Sequence, residues 1–395
     1  MMIALFGYGK TTSAIAKKRA SKFFADVEEV TQKDGFTIYP ASFYNPNEFE
    51  LAVPSPAIPP NHPLVKKSPN VLSDYDLFYK DFPFTIWVSG TNGKTTTTQM
   101  ITHMLKKRGA VSGGNIGTPI ASLPKTPIWV LETSSYTLHY TNIAKPDIYI
   151  LLPITPDHLS WHGGFEEYEK AKLKPLKRLR EGELAIVPKR YENTPSNGFL
   201  VGYETPKEIA SFFGLDIEKI EFQGPFLLDA IIALAVTKAL FNESDYELLN
   251  SFKIDSHKQE EFFDDLGRLW VDDSKATNID AAMEAIKRYQ DRKIHLILGG
   301  DSKGVSLKPL IDFLKGLNIK VYAIGDAADE ICRLCRMENI PFYRAQDLKI
   351  AVKEIEKELE KGQVALLSPA CASLDQFKNY KERGEVFKQI ILRKD

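Results

Sequence analysis

Residues 88–96 read Val88-Ser89-Gly90-Thr91-Asn92-Gly93-Lys94-Thr95-Thr96. They follow an apolar run, Phe84 to Ser89, and open a helix-like stretch from about Thr95 to Lys107 that Gly109 ends in the position just past a helix C-terminus. Strand, glycine-rich loop and helix in that order predict a phosphate-binding turn on a parallel sheet. The glycines let backbone N–H groups face a phosphate, and the helix N-terminus adds partial positive charge. Lys94 reaches the β and γ oxygens, and the Thr95 hydroxyl suits Mg²⁺. The loop is the short G-x-x-G-K-T form, since the first glycine of the longer pattern would fall at Val88. An ordinary strand-to-helix turn carries such residues by chance in some chains; the β-loop-α setting favours a nucleotide.

Upstream, the run Met2 to Phe6 leads into Gly7-Tyr8-Gly9-Lys10-Thr11 and a helix-like stretch to about Ala20, a second β-loop-α start. Only Tyr8 separates its two glycines, which leaves too little backbone to wrap a triphosphate. Gly9, Lys10 and Thr11 therefore read as a Rossmann-type first turn or a diphosphate-sugar site. A proline-dense segment, Pro54 to Pro60, and a polar, aromatic one, Asp74 to Pro83, place a boundary near residue 80.

Downstream, apolar runs at Ile128–Leu131 and Ile148–Ile154 continue the alternation. From Lys293 onward strands at 294–298, 320–324, 341–343 and 364–367 alternate with amphipathic helices, which predicts a doubly wound parallel sheet. The start of this last domain is open between Ser256 and Gln290. The expected fold is α/β with three domains: a Rossmann-like 1–80, a central phosphate-loop ATPase-type parallel sheet over 81–285, and a Rossmann-like 286–395.

The 395 residues suit two or three domains at about 150 residues each. With 51 Lys+Arg against 52 Asp+Glu, the net charge of −1 gives no reason to bind nucleic acid or an anionic membrane. No apolar stretch approaches the ~18 residues of a membrane span. Met1 to Phe6 are apolar but lack the charged start, the long apolar region and the small-residue cleavage site of a signal peptide. Three cysteines form no disulfide framework, so a cytoplasmic setting is expected, and Cys332 and Cys335 read as packing.

Glu132 ends the run at 128–131 and Asp157-His158 follows the run ending at Ile154, so an α/β sheet would bring both to the strands' carboxyl edge, near Thr95. A carboxylate, an imidazole and a hydroxyl make a plausible Mg²⁺ set. Each residue alone is more often a helix cap or a solvated loop group. Lys172, in the helical stretch 165–174, reads from composition as one of several surface lysines.

In order along the chain, the segments Gly90-Thr91-Asn92-Gly93-Lys94-Thr95-Thr96-Thr97, Gly114-Asn115-Ile116-Gly117, Glu132-Thr133-Ser134-Ser135-Tyr136, Asp157-His158, Ala171-Lys172-Leu173, Asp273-Ser274-Lys275-Ala276-Thr277-Asn278, Gly299-Gly300-Asp301-Ser302-Lys303 and 368–378 resemble the Mur ligases. The last two segments are most similar to the branch that joins D-glutamate to UDP-N-acetylmuramoyl-L-alanine. The resemblance implies domains for the UDP-sugar, for ATP and for the amino acid, and small-molecule partners only, with a monomer expected. It implies ATP-dependent amide-bond formation through an acyl phosphate, in peptidoglycan precursor synthesis, with two Mg²⁺ ions.

By position, Gly90 to Thr96, Asp229 and Asp301 would meet ATP, with Lys94 on its phosphates. Gly9, Lys10, Thr11, Asn115 and Ser134 would meet the UDP-sugar. Lys303, Ser373, Leu374 and Tyr380 would meet D-glutamate. Thr95, Glu132, His158 and a carbamylated Lys172 would serve the metals, and Lys94, His158 and Lys172 the chemistry. The sequence departs from the family where H-N-x-x-N usually places adenine, reading Pro225-Phe226-Leu227-Leu228-Asp229, and at Asp272, Lys258 and Tyr380, where Asn, Arg and Phe are common. Another Mur-type or folylpolyglutamate-synthetase-like ligase and a nucleotide-switch ATPase are the alternatives.

Overall fold

Apolar runs of four to six residues separated by helices pair in parallel, because each crossover helix returns the chain to the same end of the sheet. The computed structural model describes residues 2–115 and 117–392, so Met1 and Ile116 of the segments above lie outside the described residues. Three sheets form. The first holds β1 (Ile3–Phe6), β2 (Ser21–Ala25), β3 (Thr31–Lys33), β4 (Phe36–Pro40) and β5 (Leu51–Pro54), in the order β3-β4-β2-β1-β5. The second holds β6 (Phe84–Ser89), β7 (Ala110–Gly114), β8 (Ile128–Glu132), β9 (Ile148–Leu151), β10 (Leu184–Pro188) and β11 (Phe199–Tyr203), in the order β11-β10-β9-β6-β8-β7. All its pairings are parallel, and β6 lies at the centre between β9 and β8.

Strand periodicity sends alternate residues of β6 to opposite faces. Trp87 packs with Leu131, Tyr149 and Leu151, and shares a core with Ile3, Leu5 and Val53 of the first sheet. Ile86 and Val88 face Met100 and Ile101 of the helix Lys94–Met104 and Ile231 and Leu234 of the helix Pro225–Phe241. The latter carries apolar residues on every face because its middle, Asp229 through Thr237, is buried. Among the described residues no helix is long and apolar enough to cross a membrane.

The third sheet holds β12 (Glu260–Phe263), β13 (Leu269–Asp272), β14 (Ile294–Gly299), β15 (Ile319–Ile324), β16 (Phe342–Gln346) and β17 (Val364–Leu367), in the order β12-β13-β17-β14-β15-β16. It is parallel except at its edge, where β12 runs antiparallel to β13. Cys332 and Cys335 are buried in its core.

The chain divides into two compact units, Met1–Ile154 with Trp161–Phe252, and Thr155–Ser160 with Lys253–Asp395. The first two sheets belong to one unit because they share a core, so the boundary expected near 80 separates sheets within it. The expected start at 286 falls inside the helix Ile279–Arg288. β12 and β13 lie upstream of it and hydrogen-bond into the third sheet, so the second unit's main segment begins at Lys253.

Candidate active site

Parallel register brings the carboxyl ends of β6, β8 and β9 to one edge of the central sheet: Val88 stands opposite Glu132, and Ser89 opposite Leu151. From Ser89 the chain turns through Gly90 at φ +139° and Gly93 at φ +82°, and Gly93 caps the helix Lys94–Met104. A Cβ on Gly90 would stand 2.5 Å from Leu152 Cβ, so only glycine lets the loop pass this close to the strand end. The loop is tied down by Thr91 N donating to Pro153 O at 3.0 Å and by the Thr91 hydroxyl, 2.9 Å from the Tyr168 hydroxyl. The Lys94 ammonium curls over it, donating to Gly90 O at 3.0 Å and Thr91 O at 2.7 Å.

Glu132 is buried at the end of β8 and receives neutral donors, Thr95 Oγ1 on Oε2 and Asn115 Nδ2 on Oε1, both at 2.7 Å. Asn115 is fixed by its backbone N–H, which donates to Glu132 O at 2.8 Å. Hydroxyl, carboxylate and amide oxygens are the hard donors that Mg²⁺ takes, so these residues fit the ion.

Lys172 overturns the surface-lysine reading. It is 1% exposed, on the helix Phe165–Leu173, with Nζ 2.7 Å from Gly90 O and 4.7 Å from the Tyr168 ring centroid. Asp229 also reaches the loop's helix: its Oδ1 accepts from Thr97 Oγ1 at 2.6 Å and stands 2.8 Å from where a Gly93 Cβ would be. Ser134 caps the helix Ser135–Tyr140, its hydroxyl accepting from Thr137 N at 3.1 Å.

The other expected residues lie at the N-terminal turn or in the second unit. At the N-terminal turn, Gly7 is left-handed at φ +72°, and Lys10 is exposed at the start of the helix Lys10–Ala16. His158, at φ +54°, belongs to the second unit, where its backbone N–H donates to Asp157 Oδ1 at 2.9 Å. The same oxygen accepts from Lys303 Nζ at 3.2 Å. Asp301 Oδ1 accepts from Lys303 N at 2.8 Å, and the Asp301 backbone pairs with Ala372. Ser373, next in the chain, is buried, and its carbonyl accepts from Phe377 N at 2.8 Å; Leu374 is exposed. Tyr380 opens the helix Tyr380–Leu392, and its carbonyl accepts from Ser274 Oγ at 2.8 Å.

Around these lies a polar network not anticipated from sequence. His257 Nδ1 is 2.6 Å from Asp272 Oδ2, and Arg383 donates to Ser274 and to Cys371 O. Burial pushes the Asp273 carboxyl up to about 8, while Ser368 Oγ donates to it at 2.7 Å. Lys388 Nζ, 2.7 Å from Glu260 and 3.8 Å from Asp272, already supplies a cation to the His257, Glu260 and Asp272 group. The segment 273–278, quoted above for its family resemblance, supplies Asp273 and Ser274 to this network.

Residues 88–198 match the Mur ligase middle domain. The chain is 52% identical to the UDP-N-acetylmuramoylalanine--D-glutamate ligase of Campylobacter jejuni, over 99% of each chain. The chain belongs to the Mur ligase family. A second relative of the same description, from Helicobacter pylori, is 46% identical over the full length of both. Among solved Mur ligases, the MurF ligase from Thermotoga maritima in complex with ADP superposes with a TM-score of 0.61 at 18% identity, over 98% of this chain and 93% of that one, a likeness of fold. The three parallel-dominated sheets are those of a Mur ligase.

Proposed function

We propose that this Mur ligase uses ATP to join D-glutamate to UDP-N-acetylmuramoyl-L-alanine, making a peptidoglycan precursor. The observation that carries the reading is the cluster of Thr95, Glu132 and Asn115 at the carboxyl edge of the central sheet, with buried Lys172 beside the same glycine loop. The loop amides of Gly90 to Gly93 and the start of the helix at Lys94 hold the triphosphate, and Lys94 leaves the loop carbonyls for the γ-phosphate oxygens. Thr96 lies within this turn, and Asp229 buttresses it from the helix behind. Asp301 is assigned to the nucleotide.

The substrate carboxylate attacks the γ-phosphate, forming the acyl–oxygen to phosphorus bond as ADP leaves. The D-glutamate amine then attacks the acyl carbon, and phosphate is expelled. Mg²⁺, when bound, supplies positive charge to the transferring phosphoryl group. Thr95 and Glu132, with His158, are its proposed protein ligands, together with Lys172 after its amine has added CO₂ and lost a proton. A carbamate replaces a cation beside a triphosphate with an anion bearing two oxygens, and burial of Lys172 beside Gly90 supports it.

The Gly9-Lys10-Thr11 turn, Asn115 and Ser134 are assigned to the UDP-sugar. Lys303, Ser373, Leu374 and Tyr380 are assigned to D-glutamate; the ion pair of Lys303 with Asp157 supports this, since a substrate carboxylate fits the place of the aspartate. His158 is the candidate base for the amine. The setting is cytoplasmic, in keeping with three cysteines that are all free thiols.

Phosphate release from ATP with UDP-N-acetylmuramoyl-L-alanine, measured with and without D-glutamate, tests the reading. Release should depend on both substrates and yield the glutamyl product. Turnover of ATP indifferent to the amine would identify a nucleotide switch instead.

A further inference from the structure

Two short helices bring the groups around the phosphate loop into place. The helix Ser135–Tyr140 continues from β8, which ends in Glu132, and the helix Phe165–Leu173 carries Lys172. Lys174 is the first residue past the second of these helices, and its ammonium reaches the last turn of the first. It donates to Leu138 O at 3.2 Å, Thr141 O at 3.2 Å and Asn142 Oδ1 at 3.1 Å, and also to His139 O. Carbonyls of a last helical turn lack intrahelical partners and carry the negative end of the peptide dipoles, so the Lys174 N–H donors find open acceptors there.

Arg178 adds donors to Thr141 O at 3.0 Å and Ala144 O at 3.4 Å. From the other side the Asp76 carboxylate accepts the N–H groups of Asn142, Ile143 and Ala144, at 2.6, 2.8 and 2.7 Å. Cations hold the carbonyls of the turn 141–144 and an anion holds its amides, so the turn is a fixed anchor.

We propose that Lys174 is a positioning residue for Lys172: it clamps the helix Phe165–Leu173 to this anchor and so holds the Lys172 amine beside Gly90, where it takes up CO₂. This rests on the carbamate reading of Lys172. Misplacing a reactive group by about 1 Å costs on the order of 10²-fold in rate, so a loosened helix should lower both carbamate occupancy and turnover. Partial unfolding alone would lower the amount of active protein and leave the occupancy of the folded remainder unchanged.

The test compares wild type, Lys174→Met and Lys174→Arg, each equilibrated with ¹³C-bicarbonate, by the carbamate carbon resonance per folded protein and by kcat and KM. Lys174→Met should lose threefold or more of the resonance and tenfold or more of kcat, with KM for the UDP-sugar within twofold. Lys174→Arg, which keeps a cation with several donors, should restore both to within threefold of wild type. If Lys174→Met does not fold, Lys174→Gln, which keeps a donor without the charge, takes its place with the same expectation. An undiminished resonance in Lys174→Met, with the wild-type resonance present, would overturn the clamp alone. No resonance in wild type would overturn the carbamate, and the clamp's role with it.

Discussion

At Gly93 the backbone is left-handed, φ +82°, and caps the helix that begins with Lys94 and Thr95; at Gly9, before Lys10 and Thr11, φ is −156°, an extended value open to any residue. The same three residue types, Gly-Lys-Thr, thus start helices in two different ways. In the first loop two residues lie between the glycines, both glycines take positive φ, and Lys94 folds back onto two loop carbonyls. In the second only Tyr8 intervenes, and the turn is closed from inside by the buried Thr12 hydroxyl, which accepts from Gly9 N at 3.0 Å and donates to Gly7 O at 2.9 Å. Lys10 points outward, exposed. The length of chain between the glycines decides whether backbone amides can surround a triphosphate or only flank a smaller group.

The largest contrast expected between the loops is catalytic. Lys94→Ala should lower ligation by about 10³-fold with the fold intact, because its charge serves the transferring phosphoryl group; circular dichroism and steady-state rates check both halves. Activity within tenfold of wild type would remove ATP from this loop.

Lys172 sharpens the same side of the comparison. Lys172→Ala should lose about 10²-fold of activity, and Lys172→Arg should be no better, since it retains the wrong charge. A small carboxylate added in solution should partly restore the Ala variant. Substantial activity in Lys172→Arg would break the carbamate assignment.

A pair of glycine substitutions tests the backbone contrast directly. An alanine Cβ at 93 would meet Asp229 Oδ1 at 2.8 Å and Leu152 Cδ1 at 2.9 Å, in a left-handed conformation; at 9 the nearest atom is Ser55 Oγ, 3.4 Å away. Gly93→Ala should cost about 2–4 kcal/mol of stability and Gly9→Ala less than about 1 kcal/mol, as read from denaturant midpoints. Equal costs would mean that the two turns are not distinct.

The smallest effect belongs to the outer lysine. Lys10→Ala should raise KM for the UDP-sugar several-fold, about 1 kcal/mol for an exposed charge, and leave KM for ATP unchanged.

Which of these features could be read in advance follows from their range along the chain. β6 at Phe84–Ser89 and β17 at Val364–Leu367 have the bounds expected from their apolar runs, because strands buried on both faces show as continuous hydrophobic stretches. The glycine loop at 90–93 and the helix it opens were legible for the same local reason. β12 was not, since Glu260-Glu261-Phe262-Phe263 is a half-exposed edge with no apolar run, and the domain boundary drawn without it fell at 286. Lys172 could not be separated from Lys170 or Lys174 by composition. What buries it is packing against Gly90 and Tyr168, which lies in no local pattern and entered only through family resemblance. The His257–Asp272 pair and the contacts of Arg383 join residues 12 to 109 positions apart, beyond the reach of any spacing rule.

The division of labour between the two Gly-Lys-Thr turns is the central claim, and calorimetric titration of a non-hydrolysable ATP analogue with Mg²⁺, and separately of UDP-N-acetylmuramoyl-L-alanine, into wild type, Lys94→Ala and Lys10→Ala measures it most directly. The account predicts a crossed pattern: Lys94→Ala weakens the nucleotide and spares the UDP-sugar, and Lys10→Ala does the reverse. A selective loss of nucleotide affinity in Lys10→Ala, with Lys94→Ala binding it normally, would contradict the account.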